Sequence, residues 1–305
     1  MQHAKRLVLL WILLSLPVSA GPLGLSLRGH QVSLEIFSLF AAPGENLGIG
    51  LIGHDLQQIS VELEGNNYGQ AGVGQWQLRA PSLPGVYRLV VRHKVTGDAT
   101  RLNLFVGIPA SELDQGYLKD YRIGPQPPGN PRFPVRYRPP DHFYEVTRAL
   151  VDLPISPGFT LGQFLCKQES DFPKFVVVNE ALLLLLETIL AEVRLRGYAV
   201  DTLGIISGYR TPYYNRRIGN VANSRHVYGD ALDFYIDQDG DGRMDDLNGD
   251  GARNRADVDL LFNLVEDVKA KTENALLVGG VGRYYQTSRH GGFVHVDTRG
   301  YRARW

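Results

Sequence analysis

The stretch SRHVYGDALDFYIDQDGDGRMDDLNGDG, residues 224–251, gathers many side chains able to hold or move charge. Ser224, His226, Gly229, Ala231 and Asp233 stand in the spacing S-x-H-x-x-G-x-A-x-D. Gly229 permits a tight turn, and Ala231 leaves room beside a bound ion. After the turn, ALDFYI alternates, so Ala231, Asp233 and Tyr235 share one face while Leu232, Phe234 and Ile236 share the other. A carboxylate between Leu232 and Phe234 needs compensation, because burying an unpaired charge is costly. A cation held together with His226 supplies it. In GGFVHVDTRG the same alternation points Phe293, His295 and Asp297 one way, so His295 is available as a third ligand. Three protein ligands with one open position is the arrangement of a catalytic zinc site. Structural zinc sites more often close all four positions with cysteines, and Cys166 is the only one here. Taken singly, each histidine reads as an ordinary strand-end residue; only the set of three points to a metal.

The acidic run that follows has a spacing of its own. With Asp237 as position 1, Asp239, Asp241, Asp245 and Asn248 fall at 3, 5, 9 and 12, with Gly242 at 6 and Arg243 at 7. A second frame starts at Asp246 and places Asn248, Asp250, Asn254 and Asp257 at 3, 5, 9 and 12, with Gly251 at 6. These are calcium-loop spacings, including the glycine that allows the sharp turn. Position 12 is Asn248 or Asp257 rather than Glu, which points to modest affinity. Between Asp237 and Asp259 eight Asp face three Arg, a net of −5, so the run repels itself without counterions. A solvated acidic loop is the plainer alternative. The expectation is a calcium-ordered insertion over 237–259.

These groups need a scaffold. Residues 141–305 read as α+β: Asn179 can cap the helix EALLLLLETILAEVRLR, Gly197 ends it, and LGIISG (203–208) is a short buried strand. Glu187 and Glu192 argue against a membrane span for that helix. Residues 24–108 read as all-β. VSLEIFS, ISVELEG, GVYRLVVRHK and TRLNLFVG alternate apolar and polar residues between Gly and Pro turns. That suggests an immunoglobulin-like sandwich, with His30, His54 and His93 scattered and no reactive cluster. Residues 109–140 form a connector with seven prolines between Pro125 and Pro140, favouring an extended path. It is expected to pack along the second domain, with substrate contact by Arg132, Arg136, Tyr137 or Arg138 as the alternative.

The chain has 305 residues and formal charge zero, so nothing draws it toward nucleic acid. Lys5 and Arg6 precede the apolar run LVLLWILLSLPV, which ends in Val18-Ser19-Ala20. This reads as a signal peptide removed after about Ala20. The run falls short of the roughly 20 residues a membrane span needs. Removing its two cations leaves the neutral chain at −2. The expectation is an exported, periplasmic protein with no membrane anchor after cleavage. A lone cysteine cannot form an internal disulfide, and Cys166 among apolar residues reads as a buried, inert thiol.

SGYRTPYYNRRIG (207–219), SRHVYGDALD (224–233) and FVHVD (293–297), in that order, resemble the M15-type zinc D-Ala-D-Ala peptidases, and most of all their periplasmic murein-endopeptidase branch. FTLGQFLC (159–166) resembles the start of that domain. The resemblance covers roughly residues 150–305 and leaves the β region outside. It implies zinc on His226, Asp233 and His295, with Arg210 over the substrate to stabilise an oxyanion and Ser224 hydrogen-bonding near the metal. It implies a zinc-peptidase fold for the C-terminal domain, and hydrolysis of peptidoglycan peptides by murein endopeptidase or D,D-carboxypeptidase action. Many relatives place an acid three residues before the last histidine, as general base. Gly292 stands there, which leaves Asp297 and His290 as candidates. The missing acid also keeps open a non-catalytic cell-wall or protein-binding module with a metal-stabilised fold.

Overall fold

The structure is a computed structural model that describes residues 21–53, 58–271 and 277–305. The expected signal peptide and His54 lie outside the described residues. The protein is mostly β-sheet with few helices. Residues 25–106 contribute two five-stranded sheets. Leu25–Leu27 pairs with His30–Val32 and Asn46–Leu51 in the first, which continues through Gln75–Arg79 to Gln70–Gly72. In the second, Ile36–Ala41 runs parallel to Ala99–Val106, and Gly85–His93, Ile59–Leu63 and Asn66–Tyr68 follow antiparallel. Alternation is clear in Gln75–Arg79, where Trp76 and Leu78 are buried and their neighbours exposed. Leu47 and Trp76 of one sheet and Val61, Leu89 and Leu102 of the other belong to a single apolar core.

That core runs on into the C-terminal half. Phe40 stacks on Phe105 and meets Tyr144 edge-on, each at 5.0 Å between centroids. Such aromatic pairs add roughly 0.5–1.5 kcal/mol beyond the burial itself. Beside them, Glu180 accepts from the Phe40 amide at 2.9 Å and pairs with Arg28 at 2.6 Å. Glu180 opens helix α1 (Glu180–Leu195), where a negative charge suits the unsatisfied amides of the first turn. Asn179 caps the helix, accepting from Ala181, and Leu182, Leu183, Leu186 and Leu190 are fully buried. Gly197 follows at φ 93°, a conformation that costs glycine little.

The sheet beneath the chemistry has five strands. Their order is Gly204–Ser207, Ala231–Tyr235, Phe293–Asp297, Gly280–Tyr284 and Ala303–Arg304. All pairings are antiparallel except the last. Helix α2 (Pro212–Arg217) follows the first strand. Helix α3 (Arg255–Ala270) packs on the sheet through Val258, Leu261, Val265 and Val268, the 3.6-residue spacing of a one-sided apolar face. Register decides the site: Asp233 and His295 are direct cross-strand partners, as are Ala231 and Asp297. Partners of this kind hold their Cβ atoms roughly 4.5–5.5 Å apart.

Candidate metal centre and active-site cleft

His226 comes from a short 3-10 turn, Arg225–Tyr228, closed by Gly229 at φ 73°. A Cβ on Gly229 would lie 2.4 Å from the Val177 carbonyl oxygen, so the turn excludes every larger residue. Arg210 donates its amide to the His226 carbonyl at 3.1 Å, tying the turn to the end of strand Gly204–Ser207. The His226 Nδ1 lies 2.7 Å from the Gly208 carbonyl. A carbonyl can only accept, so Nδ1 carries the proton and Nε2 keeps its lone pair. That Nε2 lies 3.2 Å from Asp233 Oδ1. On the facing strand, His295 Nδ1 lies 2.7 Å from the same oxygen. Ligand atoms of His226, Asp233 and His295 all fall within 4.8 Å of one another.

All three side chains are buried. Burial alone would raise the Asp233 carboxyl, but His226 and His295 hold it well below the usual carboxylate range. Burial dominates at His226 and lowers its pKa. Burial also opposes charge on His295, yet Asp233 and Asp297 outweigh it and push its pKa up to about 9. A protonated His295 and the Arg210 guanidinium thus occupy the role a metal would take, neutralising a buried carboxylate. Two imidazole nitrogens and one carboxylate oxygen converging at one point suit a borderline divalent cation, so the residues fit zinc.

The surrounding groups divide into holders and lining. Asp297 is fully buried, and its Oδ2 lies 3.2 Å from His295 Nε2. Its oxygens also accept from the Gly280 amide at 2.8 Å and from the Arg299 guanidinium. Asp297 therefore fixes the ring of His295 from behind. Arg210 gives Nη2 to Asp233 Oδ2 at 2.6 Å and Nε to Ser207 at 2.7 Å, while still lining the cleft. Ser224 lines it too, at the start of the His226 turn, and its hydroxyl makes no hydrogen bond to the three ligands. The cleft encloses about 600 Å³, with Tyr137, Tyr284, Phe293 and Trp305 forming apolar wall. Trp305 tilts against the His295 ring at 5.2 Å and hydrogen-bonds Tyr284 at 2.8 Å.

His290 also lines the cleft, in a turn closed by the Thr287 amide donating to the His290 carbonyl at 2.9 Å. Its Nδ1 lies 2.8 Å from the Gly291 carbonyl, which can only accept, so that nitrogen carries a proton, and its ring meets Phe293 edge-on at 5.1 Å. Gly292 has a steric reason. A Cβ there would lie 2.6 Å from Val258 Cγ2 and 3.5 Å from Met244 Sδ. Position 292 faces helix α3 and the insertion, so an acid there would strike them.

Two groups carried no clear signal in the sequence. Buried Arg225 pairs with buried Asp230 and stacks over the rings of Tyr137 and Tyr228 at 4.7 and 4.6 Å. It also reaches the Arg136 carbonyl at 2.7 Å, and Asn223 reaches that of Gly129 at 2.6 Å. The proline-rich segment is thereby fastened beside the His226 turn, and Tyr137 reaches the cleft. The opposite charges of Arg225 and Asp230, five positions apart in one short motif, were the available hint.

The acidic run is built differently. Asp237 accepts from the amides of Gly240, Asp241 and Gly242 at 2.8, 3.1 and 3.0 Å. Asp246 repeats the pattern with Gly249, Asp250 and Gly251 at 2.9, 3.2 and 2.6 Å. Gly242 and Gly251 both take positive φ, 79° and 86°. Asp237, Asp239 and Asp245 form a second group that could hold a metal. Arg253 bridges Asp241 at 2.5 Å and Asp239 at 3.1 Å. Asn248 and Asp250 touch one another, and Arg243 offers its amide to Asp241 at 2.9 Å. Asp257 is fully buried and accepts from the amides of Leu247 and Asn254 at 2.7 and 2.6 Å, so it serves as the capping acid of α3.

Two imidazoles and a carboxylate at the floor of an open cleft are the donor set of metal-dependent hydrolases. Residues 158–247 match the Peptidase M15 family, and the C-terminal part of the chain carries an M15-type peptidase domain. The matched segment contains His226 and Asp233 and stops before His295. No curated protein matches the sequence. Among solved structures, the chain is similar to SGBP-B of the Bacteroides ovatus mixed-linkage glucan utilization locus, in complex with a mixed-linkage heptasaccharide. That similarity is 16% identity over 25% of this chain and 23% of that one, with a TM-score of 0.18, too slight to bear on fold or function.

Proposed function

We propose that the protein is an exported zinc metallopeptidase that hydrolyses peptide bonds in peptidoglycan, with an N-terminal immunoglobulin-like sandwich. The observation that carries this reading is the convergence of His226 Nε2, Asp233 Oδ1 and His295 Nδ1 beside an open cleft. The M15 match over residues 158–247 supports the peptidase class and the substrate class. Export rests on residues 1–20 of the sequence, and among the described residues no helix is long and apolar enough to cross a membrane.

His226, Asp233 and His295 would hold the zinc, which when bound polarises the scissile carbonyl and lowers the pKa of a water toward about 7. Asp297 keeps His295 in the tautomer that leaves Nδ1 free, a supporting role common behind metal-bound histidines. His290 is the proton acceptor in this reading. In the neutral ring, with Nδ1 donating to the Gly291 carbonyl, Nε2 would take a proton from the attacking water, whose oxygen adds to the carbonyl carbon. The same nitrogen then returns that proton to the departing amine as the C–N bond breaks. Arg210, fixed by Asp233 and Ser207, places a guanidinium on the cleft wall to stabilise the oxyanion. Tyr137, Tyr284, Phe293 and Trp305 offer apolar surface against which a substrate can pack. No covalent intermediate is needed.

Calcium in the insertion is the second part of the proposal. The duplicated turns at Asp237 and Asp246, nine residues apart in the chain, support it. The ion would order the insertion through Asp237, Asp239, Asp241 and Asp245, and Arg253 would give way to it.

Incubation with cross-linked muropeptides, with and without a zinc chelator, tests the proposal. New amino termini that disappear on chelation support hydrolysis. Tight wall binding without products would instead favour a non-catalytic module.

A further inference from the structure

A second cavity of about 520 Å³ adjoins the metal cleft, and His290 lines both. One wall is the 286–292 loop. The other comes from the insertion, through Gly242, Arg243, Met244 and Arg253. Three arginines therefore line one partly open space: Arg243, Arg253 and Arg289, with Arg243 and Arg289 exposed. Arg253 is already paired with Asp239 and Asp241. Arg243 and Arg289 form no ion pair among the described residues, although Asp241 is close enough to Arg243 for their charges to interact. Among the described residues the only carboxylate lining the space is Asp257, and backbone amides engage both its oxygens. Ile206, Tyr235 and Met244 add apolar surface for an alkyl chain.

We infer that this cavity is a subsite for a carboxylate-bearing arm of the substrate peptide, with Arg243 and Arg289 as the residues that select it. The inference rests on the peptidase reading and deepens it. An extended peptide advances about 3.3 Å per residue, and His290, which lines both spaces, marks the point where a chain crossing the metal cleft would pass from one to the other. Guanidinium groups pair with carboxylates through two parallel hydrogen bonds, which an amide cannot reproduce. The subsite therefore discriminates stem peptides with free carboxylates from amidated ones.

Equilibrium binding of the purified protein to two muropeptides tests this, one with free stem carboxylates and one with those groups amidated. The free-acid peptide is expected to bind about tenfold more tightly, with a gap that shrinks as salt rises. The double variant Arg243→Gln/Arg289→Gln closes the gap, and Arg243→Lys/Arg289→Lys retains most of it. Unchanged thermal midpoint and zinc content in both variants establish that they fold. Equal affinities in the unmodified protein, or a gap that survives the glutamine pair, overturn the inference. Because binding is read directly, a gap that persists without any cleavage would sink the peptidase reading and leave the subsite standing.

Discussion

Among the described residues, the two clusters able to hold a metal differ in where their ligands come from. His226, Asp233 and His295 lie on a turn and two strands, up to 69 positions apart in the chain, and all are buried. Asp237, Asp239 and Asp245 lie within nine consecutive residues, and only Asp245 is buried. In the first cluster the sheet sets the geometry, and the carboxylate stays buried only because cationic groups surround it. In the second, backbone amides and Arg253 already engage the carboxylates. The preformed, buried set suits chemistry, where reacting groups cannot wander. The exposed local set suits stiffening of a loop. Breaking the first should therefore abolish function, while breaking the second should cost stability.

The largest effect is expected from His226→Ala. Losing one of three ligands should remove the zinc and lower turnover by at least about 10³-fold, a change of roughly 4 kcal/mol in the barrier. Metal analysis beside a muropeptide assay checks both halves. The calcium response of the insertion should persist in this variant. If it vanished, the two clusters would be one unit and the comparison would fail.

Next in size is the split between His290 and Asp297. As proton acceptor, His290 should lose about 10²–10³ in kcat on replacement by Ala, with zinc content unchanged. Asp297→Asn should weaken zinc binding by about 10–100-fold, with much of the turnover recovered at saturating zinc. The reverse pattern would exchange their roles.

The pH dependence is smaller over any one unit. In the metal-free protein His295 is raised from 6.5 to about 9. A raised histidine contributes stability that is complete below about pH 6.5 and is lost as pH climbs through about 9. Zinc requires the neutral ring, so apparent zinc affinity should rise about tenfold per pH unit below pH 9 and level off above it. Titration of the metal-free protein with zinc at pH 6, 7 and 8 measures this. A flat profile would mean that His295 is neutral without metal.

What the sequence made legible is local. Strand alternation put Asp233 on one face of ALDFYI, and the glycine spacings marked both acidic turns. Asn179 and the leucine run defined α1, whose start agrees and whose end falls one residue earlier, at Leu195. Contacts between distant elements were hidden. Alternation placed His295 and Asp297 on one face but could not say which ring nitrogen each carboxylate would meet. Nothing in SGYRTP shows that Arg210 will hold Asp233, 23 positions away. The glycine at 292 looked like a missing catalytic acid. Its cause lies in Val258 and Met244, which only folding brings beside it. Asp257 fits position 12 of a calcium frame by count, yet it also fits the third position of a helix, and the helix has it.

The smallest expected effect tests the acidic run. A ligand that binds only the folded protein stabilises it by about 2.7 kcal/mol at a hundred times its Kd, which is a few degrees in midpoint for a chain of this size. Calcium should therefore raise the thermal midpoint of the metal-free protein by a few degrees. Asp239→Ala with Asp250→Ala should erase the rise, because each removes one carboxylate from one of the two turns. Arg253→Ala probes the same site from the opposite side. Removing the internal cation leaves Asp239 and Asp241 facing each other uncompensated, so calcium should bind more tightly while the calcium-free protein becomes less stable. If Arg253→Ala weakened calcium binding instead, the guanidinium would be a support of the loop rather than a stand-in for the ion. The insertion would then be held by its own ion pairs, and the contrast with the buried cluster would narrow to a difference in exposure.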